Sequence, residues 1–194
     1  MRGVLVAVLA VAAFARQAEV PSAREAFDLG RTHDTALFEA FNRGYELAVS
    51  GTVDHAEVIT EFRRAVLFVH EQAIQGQYLI TDRDLAKAMS PLDGLVTFVV
   101  EARLHPLNTY AKPPPYELYI ETGPTTKPLV AQPLKRDAVY PPGLIGPGNS
   151  MTGVRLDATF PRADIMSAPS PSLIVIDDQA NVIWKARIDL ARYR

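Results

Sequence analysis

Residues 94–121 read GLVTFVVEARLHPLNTYAKPPPYELYIE, and within this stretch the hydrophobic period of the chain becomes two. In its first part every second residue is apolar, namely Val96, Phe98, Val100, Ala102 and Leu104. Such alternation is typical of a strand with one buried face. A proline-rich corner follows, and Tyr116, Leu118 and Ile120 then alternate with polar residues. The stretch therefore predicts two strands joined by a stiff corner.

The sequence before residue 94 has a helical period instead. An apolar stripe predicts a helix from residue 34 or 35 to about 49, formed by Leu37, Phe38, Phe41, Tyr45 and Ala48. Gly44 lies inside this helix, and a close helix–helix contact would explain a glycine there. A second helix is predicted from Asp54 to about Gln75, with Asp54 and Glu57 as its capping box. Thr81 is expected to cap a third helix over 82–89.

The sequence after residue 121 predicts further strands separated by turns. They are expected at 129–135, 153–160, 172–176 and 182–190, with the first confined to an edge by Pro133. With the opening pair this makes about six strands, the pattern of an antiparallel immunoglobulin-like β-sandwich. We therefore predict an α+β fold in which two or three N-terminal helices precede that sandwich.

The predicted organisation has four parts. Residues 1–15 form a signal peptide, 16–33 a flexible arm with at most a poorly formed helix at 23–29, 34–91 a helical region, and 94–194 the β-sandwich domain. The signal rests on Arg2, an uninterrupted apolar run from Gly3, and the small-residue cleavage pattern at 13–15. The apolar run is shorter than the roughly 20 residues that a membrane span needs. The chain is therefore expected to be exported, periplasmic or secreted, with no transmembrane segment after cleavage.

Composition excludes several kinds of function. The 20 basic and 22 acidic residues leave a formal net charge of −2, so nothing favours nucleic acid as a partner. The chain has no cysteine, which excludes disulfides, thiolate catalysis and cysteine-ligated zinc. An exported domain without disulfides favours a bacterial protein, because small secreted eukaryotic domains commonly use them. The sequence makes no prediction about oligomeric state.

No residue pattern predicts catalysis, a metal or a cofactor. The four histidines are His33, His55, His70 and His105, and they lack the spacing of metal ligands on a helix. His105 precedes a proline at a strand end, where it is expected to support the corner by hydrogen bonding. Residues 177–181 (DDQAN) lack the glycine and glutamate of a calcium loop, so they predict a hairpin turn.

The corner after residue 104 is the best candidate for a binding surface. Tyrosines beside a stiff polyproline segment can form a rigid contact surface, and the candidates are Asn108, Tyr110, Lys112 and Tyr119. The competing and favoured interpretation is structural. In it, Tyr116 belongs to the core and the prolines at 113–115 protect a sheet edge from pairing.

Four segments of the chain resemble those of a group of uncharacterised secreted bacterial proteins, for which we expect an acidobacterial origin. They are EFRRAV at 61–66, ARLHPLNTY at 102–110, PPYEL at 114–118 and IWKARIDL at 183–190. The resemblance covers most of the mature chain. It implies a bacterial exported protein and carries neither an activity nor a catalytic residue.

Two hypotheses of function follow. The first is an exported, non-catalytic protein whose immunoglobulin-like sandwich binds a protein or a glycan of the envelope or extracellular space. The alternative is a hydrolase or metal-dependent enzyme with a site between helices and sheet. That site would combine a histidine with an acid, drawn from His55, His70, His105, Glu61 and Glu101.

Overall fold

The computed structural model describes residues 23–123, 126–141 and 150–194, and within them the chain forms five α-helices and eight strands. The helices are α1 Ala23–Gly30, α2 Thr35–Arg43, α3 Glu61–Ile74, α4 Asp82–Met89 and α5 Arg162–Ser167. The strands are β1 Val53–Ile59, β2 Leu95–Arg103, β3 Glu117–Glu121, β4 Leu129–Val130, β5 Leu134–Val139, β6 Gly153–Pro161, β7 Ser172–Ile176 and β8 Val182–Arg187. The predicted signal peptide, residues 16–22 of the predicted arm, and residues 124–125 and 142–149 lie outside the described residues.

The predicted α+β class is confirmed, with two antiparallel sheets. Sheet A has the strand order β1–β2–β6–β5, and sheet B has the order β4–β3–β7–β8. Each sheet has one inward face, which carries apolar residues predicted from the alternation in the sequence. The inward faces of the two sheets contribute to a single hydrophobic cluster. Phe98 and Phe160 of sheet A and Leu118 and Leu173 of sheet B are fully buried in it. Six strands were expected, and the described residues contain eight.

The predicted helix over 54–75 is wrong in its first part, because β1 occupies residues 53–59. β1 pairs with β2 as the edge strand of sheet A, and its buried residues Ala56 and Val58 face the core. The capping box at Asp54 is therefore also wrong. Thr60 is the N-cap of α3, and its hydroxyl accepts a hydrogen bond from the Arg63 N–H at 3.3 Å.

The predicted helix over 34–49 is also too long. Asp34, one of the two residues at which this helix was expected to begin, is the N-cap of α2, but α2 ends at Arg43 and Gly44 is its C-cap. Residues 45–49 then run beside β1, and we call them the 45–49 segment. The Leu47 N–H donates to the Ala56 carbonyl at 2.8 Å, and the Trp184 indole N–H donates to the Ala48 carbonyl at 3.3 Å. The segment therefore links the β1 edge of sheet A to β8 of sheet B.

The predicted strand over 129–135 is divided between the two sheets. β4 pairs with β3 in sheet B, whereas β5 pairs with β6 in sheet A. Pro133 lies between them and has no N–H to donate to either ladder. The chain changes sheets at this proline, which is why the sequence pattern reads as one imperfect strand.

The helices form a second hydrophobic cluster of their own. It is built from α1, α3 and α4 and buries Ala26, Phe27, Phe62, Ala65, Val66, Val69 and Leu85. The described part of the predicted flexible arm is thus largely helical. The glycine at a close helix–helix contact is Gly30, not Gly44, because a Cβ atom on Gly30 would lie 2.7 Å from the Val69 Cβ atom. Thr81 caps α4 as predicted, with Asp84 completing a capping box.

Two adjacent arginines of α3 attach the helical cluster to sheet A. Arg63 is buried and donates to the Val58 carbonyl at 2.7 Å and to the Glu57 carboxylate at 2.5 Å. Arg64 donates to the Thr97 hydroxyl of β2 at 3.1 Å, and burial lowers its pKa. In chain order α3 and α4 lie between β1 and β2, which are paired neighbours. The division into ranges 34–91 and 94–194 stays a prediction, and β1 joins the two ranges through sheet A.

None of the helices in the described ranges is long and apolar enough to cross a membrane.

Candidate functional sites

The corner between β2 and β3 is held by hydrogen bonds around Asn108. The Asn108 side-chain amide donates to the His105 carbonyl at 2.9 Å and to the Met151 carbonyl at 2.8 Å. The His105 Nδ1 atom accepts from the Leu107 N–H at 3.1 Å, so this histidine supports the corner as predicted. Asn108 therefore fixes the shape of the corner and ties it to the start of β6, rather than pointing into solvent.

Tyr110 connects the corner to the turn between β7 and β8. Its hydroxyl donates to the Asp178 carboxylate at 2.6 Å, although the ring is partly exposed. The hydrogen bond to Asp178 is the main reason that the pKa of Tyr110 rises to about 12, with desolvation and the Asp178 charge adding to it. The corner and the turn thus meet at one end of the two sheets.

The structure brings together only some of the four predicted binding residues. The Tyr110 N–H donates to the Asn108 side-chain oxygen at 3.3 Å, so these two are neighbours. Lys112 lies exposed in the same corner. Tyr119 lies within β3 on its outward face, opposite Val130 and Ile174 in the strand register. In the described parts of the chain no hydrogen bond or ring contact joins Tyr119 to the other three.

The pKa of Tyr110 offers a direct test of this contact. The neutral phenol donates to Asp178, so the hydrogen bond is complete below about pH 10, the ordinary pKa of tyrosine. It is lost as the pH rises through about 12. Asp178→Asn should lower the pKa of Tyr110 towards its ordinary value. NMR titration of the tyrosine ring carbons, with the Tyr110 signal assigned by Tyr110→Phe, measures the change. An unchanged midpoint in Asp178→Asn would show that the two side chains are not in contact.

The turn at residues 177–181 is a hairpin turn, as predicted. The Asp177 carboxylate accepts from the N–H groups of Gln179 at 2.9 Å and Asn181 at 2.8 Å. It also accepts from the Asn181 side chain, and these hydrogen bonds lower the pKa of Asp177. The carboxylate is therefore engaged within the turn.

Two residues of the alternative catalytic hypothesis, His55 and Glu101, are cross-strand neighbours. The other three are engaged elsewhere. His55 faces Glu101 across the β1–β2 pair and lies 3.5 Å from the Glu57 carboxylate. His70 bonds the Gly30 carbonyl at 3.1 Å and stacks on Phe38. Glu61 accepts from the Gly94 N–H at 2.7 Å. Among the described residues no group of three or more histidine, aspartate or glutamate side chains is arranged to hold a metal ion.

A cleft on the described part of the chain was not predicted from the sequence. It has a volume of about 920 Å³ and lies between the 45–49 segment, β8 and the connection that follows α5. Its walls and floor include Glu46, Leu47, Val49, Ile165, Met166, Lys185, Arg187, Ile188, Leu190, Arg192 and Tyr193. The alternation of residues 182–190 did predict β8. The cleft was missed because its facing wall was assigned to a helix.

Comparison of the chain with protein-family models, with curated proteins and with solved structures finds no match.

Proposed function

We propose that this chain is an exported, non-catalytic binding module built on an immunoglobulin-like β-sandwich. The observation that carries the proposal is the strand order. Immunoglobulin-like sandwiches place strands A, B, E and D in one sheet and C, F and G in the other, with an additional strand C′ beside C in some domains. We letter the strands in chain order, so that β1 to β8 become A, B, C, C′, D, E, F and G. Sheet A then has the order A–B–E–D. Sheet B then reads C′–C–F–G.

The same assignment gives the corner and the β7–β8 turn a role in binding. They become the B–C and F–G loops, which lie at one end of such a sandwich and carry the contact residues of antibody variable domains. Tyr110 and Asp178 join these two loops. Leu107 is 82% exposed beside them. A rigid loop end with exposed apolar and aromatic groups is suited to a protein or glycan partner.

The predicted signal peptide supports export to the periplasm or beyond the cell. The catalytic alternative is not favoured, because His70, His105 and Glu61 are engaged in separate local contacts. His55 and Glu101 lie opposite each other, but the Glu101 carboxylate is paired with Arg155. Tyr110 and Lys112 belong to the proposed contact surface, and Asn108 fixes the shape of the corner that carries them. Tyr119, on the outer face of sheet B, is a separate contact position.

The double variant Tyr110→Ala and Lys112→Ala tests the contact surface. Both side chains lie at least partly exposed, so the thermal unfolding midpoint should hardly change. Retention of a partner from an envelope extract of the host, measured by quantitative pull-down with the tagged mature chain, should fall at least about tenfold. Tyr78→Ala with Lys87→Ala is the matched control, because Tyr78 is an exposed tyrosine between α3 and α4 and Lys87 is an exposed lysine of α4.

Two outcomes would contradict the proposed surface. A double variant that unfolds at a much lower temperature would show that the corner is structural. A double variant that retains the same partner as well as the control would place the contact elsewhere on the module. Turnover of a substrate by the purified mature chain, lost on replacing one buried acid or histidine, would contradict the non-catalytic assignment itself.

A further inference from the structure

The cleft lies between two sheet edges. β8 is the last strand of sheet B, and in the described parts of the chain no strand pairs with its outer edge. The 45–49 segment lies beyond β1 at the corresponding end of sheet A, where Glu46 forms a bridge with Glu57. Lys185, Ala186 and Arg187 of β8 line the cleft opposite residues 46–50. An edge strand presents unpaired N–H and C=O groups at alternate residues, so one wall of the cleft can pair with an added strand.

The floor of the cleft is apolar and its position is fixed. Ile165, Ile188, Leu190 and Tyr193 line the cleft and are buried against the shared core of the two sheets. The hydrogen bond from the Trp184 indole to the Ala48 carbonyl ties the two walls together. A volume of about 920 Å³ lies near the upper end of the roughly 300–1,000 Å³ range of small-ligand sites and leaves room for several residues of an extended chain. These features match binding by strand addition, in which side-chain pockets lie beside main-chain hydrogen bonds.

The charges that line the cleft indicate the character of such a strand. Five charged residues line the cleft, and two of them, Glu46 and Asp189, are acidic. Lys185 is paired with Glu121, and the Asp189 carboxylate accepts from the Ala191 N–H, which leaves two arginines of the cleft against Glu46. Arg187 and Arg192 are exposed, and neither has an ion-pair partner in the described ranges. Two unpaired guanidinium groups favour carboxylates, which they can bind through two parallel hydrogen bonds. We propose that the cleft binds an extended acidic peptide segment of another protein, which adds to the free edge of β8 and places its carboxylates on Arg187 and Arg192.

A synthetic peptide tests the proposal with the mature chain. The probe is a fluorescein-labelled peptide of about nine residues, a common strand length, with valine and glutamate alternating. Fluorescence anisotropy should show saturable binding that weakens as salt is added, because the attraction is electrostatic. The counterpart with lysine in place of glutamate should bind at least about tenfold more weakly. A third peptide, N-methylated at alternate residues, lacks the N–H groups of one edge and should also lose binding.

Charge variants locate the binding site on the protein. Arg187→Gln and Arg192→Gln should each weaken binding of the glutamate peptide about tenfold, the loss expected for one charge-assisted contact. Both side chains are exposed, so both variants should fold normally. The matched control is Arg83→Gln, which alters an exposed arginine of α4 outside the cleft. The double variant at Tyr110 and Lys112 should bind the peptide like the unmodified chain, which separates this proposal from the function proposed above.

Each failure has a definite meaning. No binding of the glutamate peptide at millimolar concentration would overturn the proposal. Equal binding of the lysine peptide, or unchanged binding by the Arg187 and Arg192 variants, would remove the charge argument. Equal binding of the N-methylated peptide would exclude addition to the strand edge.

Discussion

Phe98→Ala should lower the free energy of unfolding by about 3–5 kcal/mol, the usual cost of removing a buried phenylalanine ring. Phe98 is fully buried on β2, the strand that pairs with β1 on one side and β6 on the other. Its ring meets Phe160 edge-on, with the ring centroids 6.0 Å apart. The neighbours belong to two sheets and cannot all move into the vacated space, so a cavity remains. The free energy of unfolding therefore falls by the lost transfer free energy of the ring and by a further amount that grows with the volume of the cavity.

Equilibrium urea unfolding measures this change. Small domains are stable by about 5–15 kcal/mol, so the variant should still fold, with a clearly lower midpoint. Val130→Ala is a suitable control, because Val130 is 63% exposed on β4 and its truncation should cost less than about 0.5 kcal/mol. If both variants lost the same small amount, the two sheets would not share a packed core at Phe98.

Arg63→Ala should cost a similar amount, about 3–5 kcal/mol, for an electrostatic reason. The Arg63 side chain is 4% exposed, and its partner Glu57 is 15% exposed. Truncation leaves the Glu57 carboxylate and the Val58 carbonyl without their main donor in a site that water barely reaches. It also removes the cation stacked over the Tyr45 ring. The variant should therefore loosen the attachment of α3 to β1.

A matched pair and a double variant separate these contributions. Arg103→Ala breaks the exposed pair with Asp54, where both side chains are more than half exposed, so it should cost less than about 1 kcal/mol. Adding Glu57→Ala to Arg63→Ala should recover part of the loss, because no unpaired carboxylate then stays buried. If Arg63→Ala lowered the free energy of unfolding no more than Arg103→Ala does, Arg63 and Glu57 would not form a buried ion pair.

The strands with long alternation were predictable from the sequence alone. β2 and β6 are each nine residues long, and the predicted inward set of β6, Val154, Leu156, Ala158 and Phe160, is buried. A strand with two chemically distinct faces has only one register that buries the apolar one. The cap Thr81 was predictable because its capping hydrogen bond is local, with the Asp84 N–H three residues along the chain. Asp34, one of two candidate residues for the start of α2, likewise accepts from the Leu37 N–H.

β1 was not predictable, because its pattern fits both periods. Ala56 and Val58 alternate, yet Val58 also lies four residues before Phe62, which suits a helix stripe. A tertiary contact decides between the two, because residues 53–59 pair with the edge of β2. β2 lies beyond α3 and α4 in the chain, so a local pattern does not show this pairing. Tyr45 was misassigned similarly, since it continues the stripe of Phe41 but belongs to the core of the sheets.

The candidate sites also differ in whether their contacts are local or distant in the sequence. The contacts of Asn108 with His105 and Tyr110 are local, so a compact corner was foreseeable. The contact of Tyr110 with Asp178 joins residues 68 apart in the chain and depends on the pairing of whole strands. The cleft depends on two segments at still greater separation, the 45–49 segment and β8. No local pattern encodes it.

The position of α3 and α4 between two paired strands has a consequence for chain entropy. β1 and β2 are antiparallel neighbours, and a short turn would be enough to connect them. The chain makes a long excursion instead, and doubling the length of such a loop costs only about 0.6 kcal/mol of closure free energy. The excursion also buries its own apolar residues in a separate cluster, which offsets that cost. The two sheets can therefore accommodate connections of very different length at this place without losing their pairing.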